Sequence, residues 1–166
     1  MTTKLDKMTT IMDLHGDNLK RMCYMLFGSD MKSEGVVGEI FIEYFKYKYL
    51  FDKNKMGYPI LYRTAIDIIT EKLTTIDYTI VREVDDMVHS DIGFEFFGMM
   101  VNLRLLKLKL KNLPCKSKYI VCLYYVVGFK THEIARILKI GNQQIRAWLL
   151  FSTVGMVNDI ERMIKS

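Results

Sequence analysis

A chain of 166 residues, half of them hydrophobic, can fill one ordinary domain or two small ones and is too apolar to be disordered throughout. Only two prolines, Pro59 and Pro114, interrupt a sequence rich in Leu, Ile, Met and Lys, which favours long helices over a strand-and-turn architecture. The net charge of +5 is unevenly spread: residues 103–166 carry twelve basic and three acidic side chains, a net +9 that leaves −4 for the rest, so the basic part fits nucleic acid and the acidic part some other partner, with lysines scattered for solubility as the alternative.

The start, MTTKLDKMTTIMDLHGD, is too polar for a signal peptide, and no apolar run approaches about twenty residues without a charge, so the chain reads as cytoplasmic and without a membrane partner. From Asp17 to about Phe27, the residues Leu19, Met22, Cys23, Leu26 and Phe27 recur at helical spacing, and Gly28 ends the run. Ser33 offers an N-cap for a second helix whose apolar stripe is Val36, Val37, Ile40, Phe41, Tyr44 and Phe45. A polar break from Asp52 to Gly57 leads to Pro59 near the start of a third helix containing Leu61, Tyr62, Ala65, Ile68, Ile69 and Leu73.

Between Glu83 and Glu95 every charged residue is acidic, and Gly93 and Gly98 lie close by. This composition shift predicts a linker over residues 80–101, although Phe94, Phe96 and Phe97 suit a segment that packs on a domain or a partner. Beyond it the pattern predicts helices from about Asn102 to Asn112, from about Ser117 to Val127, from Thr131 to Leu138, and from Asn142 onward. The three cysteines, Cys23, Cys115 and Cys122, lack the paired spacing of a metal site or disulfide framework and read as reduced, mostly buried thiols.

The stretch FKTHEIARILKIGNQQIRAWL has the spacing of a helix-turn-helix. Thr131 can cap the first helix, Ile134, Ala135 and Leu138 face its interior, Gly141 permits a tight turn, and Asn142 can cap a second helix whose Ile145 and Leu149 pack back. Gln143, Gln144 and Arg146 then stand at the outward start of the second helix, where amides and a guanidinium can reach base edges or phosphates. Lys130, Thr131 and His132, at the start of the first helix, are further DNA-contact candidates. A plain helical hairpin within a core is the alternative for this segment.

The stretch LKNLPCKSKYIVCLYYVVGFKTHEIARILKIGNQQIRAWL resembles domain four of RNA polymerase sigma factors of the extracytoplasmic-function type: a Leu-Pro pair, an apolar helix, Gly128, then Glu133, Ile134, Ala135, Ile137 and Leu138. The stretch LFGSDMKSEGVVGEIFIEYFKYKYLF with DKNKMGYPILYRTA is similar to domain two of the same family, at Leu26, Gly28, Glu34, Val37, Glu39, Phe41, Phe45, Phe51, Leu61, Tyr62, Arg63 and Ala65 among others. The resemblance implies an all-α chain of two small helical domains, with residues 1–79 like sigma domain two, an acidic linker over 80–101 and a domain four-like helix-turn-helix over 102–166. It implies core RNA polymerase and promoter DNA as partners. Glu34, Glu39 and Glu43 become candidate polymerase contacts, and Lys53, Asn54, Lys55, Tyr58 and Arg63 candidates for holding a flipped promoter base.

The chain departs from the family pattern at Lys32 and Gly35, where relatives carry an acid, and at Ile60, where they carry tryptophan. The recognition helix continues with Trp148, Leu150, Phe151 and Thr153 where basic residues are usual, which weakens phosphate contact. Trp148 and Phe151 either join the core, the commoner outcome for a lone helical tryptophan, or form an apolar face covered by another protein, such as an anti-sigma factor, or by the chain's own first domain. Two other readings stay open: a degenerate sigma-like interaction protein that docks without initiating, and a free-standing helix-turn-helix regulator. No enzyme, metal or cofactor is expected, since His15, His89 and His132 are dispersed and no phosphate loop or activated nucleophile is visible.

Overall fold

The first helix starts well before the predicted Asp17. In the computed structural model, which describes residues 3–27, 30–46, 57–75, 93–96, 99–102, 110 and 113–165, it runs over Lys4–Phe27 as α1. A reciprocal cap explains the earlier start: the Thr3 N–H donates to Asp6 Oδ2 at 2.8 Å and the Asp6 N–H donates to Thr3 Oγ1 at 3.1 Å. Gly28 lies outside the described residues. The second helix, α2, spans Asp30–Lys46, so Ser33 sits within its first turn instead of capping it. The third, α3, spans Tyr58–Thr75 with Pro59 as its second residue, where a missing N–H costs nothing.

These helices close on one another because each presents one apolar stripe. Leu19, Met22, Cys23 and Phe27 of α1, Val36, Ile40, Phe41 and Tyr44 of α2, and Leu61, Tyr62, Ala65 and Ile69 of α3 are all buried. Burial pushes the Cys23 thiol up to about 12, so it stays protonated and behaves as a small hydrophobe. Cys122 is likewise a buried free thiol.

Tyr62 is fully buried, its phenol lying 3.2 Å from His15 Nδ1 with the two rings edge to face. Desolvation lowers the His15 pKa below its ordinary 6.5, so the folded state holds the ring neutral. As pH falls below that ordinary value the unfolded chain takes up the proton first, and stability present above it is lost towards the lower folded-state pKa. Thermal midpoints measured at pH 7.5 and at successively lower pH should therefore fall, and His15→Asn should shrink the drop. An equal drop in the variant would remove His15 as the source.

Asn102, the approximate start of the predicted helix, is instead the last residue of a strand. Gly93–Phe96 (β1) and Met99–Asn102 (β2) form a two-stranded antiparallel hairpin, with Phe94 opposite Val101 and Glu95 opposite Met100. The stretch FEF alternates with the period of a strand, and the backbone groups of Gly93–Phe96 find their partners in Met99–Asn102. Residues 103–109 lie outside the described set, while Leu110 is helical and 1% exposed. The remaining helices are α4 (Cys115–Val121), continued by a π-helical stretch over Cys122–Val127, then α5 (Thr131–Leu138) and α6 (Asn142–Lys165). The architecture is all-α apart from the hairpin, and the chain divides into two compact units, Met1–Asp77 and Tyr78–Ser166. Among the described residues no helix is long and apolar enough to cross a membrane.

Candidate nucleic-acid interface

The π-helical end of α4 delivers the chain into the motif through Gly128, whose φ of 92° only glycine adopts without strain. The carbonyl of Leu123 accepts both the Gly128 and the Phe129 N–H, at 3.1 and 3.0 Å, so the turn is closed by backbone alone. Lys130 follows in an extended conformation and serves as the N-cap of α5, one residue before the predicted Thr131. Its carbonyl accepts the N–H groups of Glu133 and Ile134 at 3.0 Å, while its own N–H donates to Glu133 Oε2 at 2.8 Å. The glutamate of the motif is thus spent on the helix start, where a carboxylate suits the positive end of the dipole.

The turn between α5 and α6 is made differently from expectation. Lys139 takes the left-handed conformation, with φ 56° and ψ 41°, and its N–H and that of Ile140 return to the Ala135 carbonyl. Gly141 has no positive φ; instead its carbonyl accepts the Ile145 N–H at 3.1 Å, which makes it the N-cap of α6. Asn142 is therefore the first helical residue rather than the cap, and its Oδ1 is buried without a hydrogen-bond partner. Of the residues expected to pack inside, Ile134 and Ile145 are 0% exposed, whereas Ala135, Leu138 and Leu149 are half-buried; Ile137, which was not among them, is also 0% exposed. Farther along α6, Ser152, Thr153 and Met156 are buried, with the Thr153 hydroxyl 3.4 Å from that of Tyr125.

With that inner line fixed, the outer residues are fixed too. Gln143, Gln144 and Arg146 are exposed at the start of α6; Lys130, His132 and Lys139 are exposed around the start of α5 and the turn, and Thr131 is half-buried. The motif presents two amides and a guanidinium at the start of α6 and ammonium groups at the two ends of α5, Lys130 and Lys139, while the carboxylate of α5, Glu133, is bound to backbone. That set can contact base edges with the first three groups and phosphates with the lysines. Beyond it α6 turns apolar: Trp148, Leu150, Phe151 and Val154 are 40%, 60%, 79% and 49% exposed. The core placement favoured for a lone helical tryptophan is not what the fold gives Trp148, because the inner line of α6 is already filled.

In the first unit the three carboxylates on α2 point outward, but each meets a lysine. Glu34 pairs with Lys20 of α1 at 3.0 Å, Glu39 with Lys72 of α3 at 2.7 Å, and Glu43 with Lys46 at 3.1 Å. The spacing of Glu43 and Lys46 made that pair readable; the partners from other helices were not. Tyr58 and Arg63 are half-buried and neither is without an interaction of its own, whereas Lys53, Asn54 and Lys55 lie outside the described residues. Among the described residues no cluster of His, Cys, Asp and Glu could hold a metal ion.

No protein-family model and no curated protein matches the sequence. Solved structures do match the fold. The structure of CnrH in complex with the cytosolic domain of CnrY is similar over 93% of this chain and 88% of that one, with a TM-score of 0.72 and 13% identity. The sigma factor RpoE from Bartonella quintana, in complex with the anti-sigma factor NepR, is similar over 93% of this chain and 97% of that one, with a TM-score of 0.67 and 14% identity. The chain thus has the all-α fold of extracytoplasmic-function sigma factors.

Proposed function

We propose that the chain is a sigma factor of this type, which carries core RNA polymerase to particular promoters and assists their opening. The observation that supports the reading best is a sigma-factor likeness over 93% of the chain, combined with exposed Gln143, Gln144 and Arg146 at the open start of the second helix of its helix-turn-helix. In this reading residues 1–79 bind core polymerase and the downstream promoter element, residues 80–101 link, and residues 102–166 read the upstream element. Lys53, Asn54, Lys55, Tyr58 and Arg63 are the groups offered to the melted strand, and Lys130, Thr131 and His132 steady the helix-turn-helix on the backbone. An anti-sigma factor is a further proposed partner, since the RpoE structure holds one.

Reconstitution with core polymerase tests the proposal. Promoter-specific transcripts support it. Stable association without a transcript gives instead the interaction protein, a reading favoured by the apolar continuation of α6 where the family is basic. DNA binding without polymerase association gives the free-standing regulator.

Polymerase docking is assigned to Glu34, Glu39 and Glu43 on α2. Their lysine partners do not forbid it, because exposed ion pairs are worth about 0–1 kcal/mol and are readily exchanged for contacts of the same kind. Glu34→Lys with Glu39→Lys should weaken polymerase association at least about tenfold, as charge reversal across a complementary surface does, while moving fold stability by only about 0.5 kcal/mol. Unchanged affinity in a binding titration would take both residues out of the interface.

A further inference from the structure

The outer face of α6 beyond its polar start has a pattern of its own. Ala147, Phe151, Val154 and Asn158 follow at intervals of four, three and four residues, all exposed, with Leu150 alongside. This is the spacing of a seam between two helices, and it lies opposite the line Ile145, Ser152, Thr153 and Met156 that packs into the unit. The apolar part is bounded at one end by Gln143 and Gln144 and at the other by Glu161 and Arg162, all exposed. The pattern is symmetric about the point between Ser152 and Thr153.

We propose that this face binds a second copy of the same chain, α6 against α6 in antiparallel alignment about a two-fold axis. About that axis Phe151 of one copy comes level with Val154 of the other, Ala147 with Asn158, and the Gln143–Gln144 pair with the Glu161–Arg162 pair. A glutamine amide both donates and accepts, so it satisfies a carboxylate and a guanidinium equally. A parallel alignment would set Glu161 against Glu161 and Arg162 against Arg162, and the like charges select against it. The antiparallel patch is complementary to itself, which is what a closed two-fold dimer requires.

The seam from Ala147 to Asn158, apolar up to Val154 and polar at its last residue, is about 17 Å long at the helical rise of about 1.5 Å per residue. An interface of that length falls in the class below about 1,200 Å², which makes the dimer weak and reversible. Self-association covers Gln143 and Gln144, so dimer and DNA compete for one surface. Association itself is measured without DNA or polymerase, and its outcome is separate from that of the sigma-factor reading.

Sedimentation velocity of the full chain from about 1 to about 500 µM should show a concentration-dependent dimer, accompanied by a blue shift of the single tryptophan, Trp148, beside the seam. Phe151→Asp puts a charge at the centre on a side chain that is 79% exposed, so circular dichroism should be unchanged while dimerisation weakens by at least about tenfold. Under mild oxidation, with Cys115→Ser in every chain and Cys23 and Cys122 buried, a mixture of Ala147→Cys and Asn158→Cys chains should form cross-linked dimers in excess over either variant alone or the chain without an added cysteine. A monomer at every concentration, a dimer indifferent to Phe151→Asp, or cross-links strongest in Ala147→Cys alone would each overturn the proposal.

Discussion

Replacing Gln143, Gln144 and Arg146 together with alanine is expected to abolish promoter selectivity while leaving the chain folded and bound to polymerase. All three side chains are exposed at the first turn of α6, and the contacts that hold this helix are made by Ile145, Ser152, Thr153 and Met156 on the other side. An amide suits adenine and a guanidinium suits guanine, each good bidentate pair being worth about 1–3 kcal/mol of discrimination. Gln144→Ala alone should therefore relax preference at one base position by roughly five- to 150-fold. Lys130→Ala or Lys139→Ala should behave differently, weakening binding to all sequences alike and flattening the salt slope by about one for each phosphate that is no longer neutralised. The measurement is run-off transcription from a promoter library, with a salt titration of DNA binding beside it. If the triple variant keeps full selectivity, α6 does not read bases.

How much of this was legible in the sequence depends on how local the deciding interaction is. The helix-turn-helix was readable because its pattern is dense: Thr131–Leu138 and the start at Asn142 follow from apolar residues three and four apart, and burial of Ile134, Ile137 and Ile145 agrees. Its caps were each displaced by one residue, since Thr131 and Asn142 have cap chemistry but the carbonyls that close the first turns belong to Lys130 and Gly141. The left-handed Lys139 was hidden behind the expectation that glycine makes such turns. The extension of α1 back to Lys4 rests on the Thr3–Asp6 cap, a two-residue signal that a polar, Met-rich stretch obscured. The hairpin was missed because four-residue strands barely register a period. Glu34 and Glu39 were readable as outward carboxylates, but Lys20 and Lys72 reach them from other helices, and no spacing rule along one chain segment finds such partners.

Leu123→Ala and Leu150→Ala make the same chemical change in the same unit, yet their effects on stability are expected to differ by a factor of several. Leu123 is 0% exposed in the π-helical end of α4, beside Ile120 and Cys122, which are equally buried. Truncating it removes buried methyl groups and leaves a void that a close-packed interior only partly refills, which costs about 2–5 kcal/mol. The backbone bonds that Leu123 receives from Gly128 and Phe129 survive the substitution, so the destabilisation reports side-chain packing alone. Leu150 is 60% exposed on the outer face of α6, and alanine there should move stability by no more than about 0.5 kcal/mol, helped slightly by its better helix propensity. Trp148, on α6, gives a fluorescence signal from this unit, and urea titrations at about 1 µM, the low end of the concentration series, keep association between copies out of the measurement. A Leu150→Ala variant as unstable as Leu123→Ala would mean that the outer face of α6 is covered within the folded chain, and that neither DNA nor a second copy could reach it.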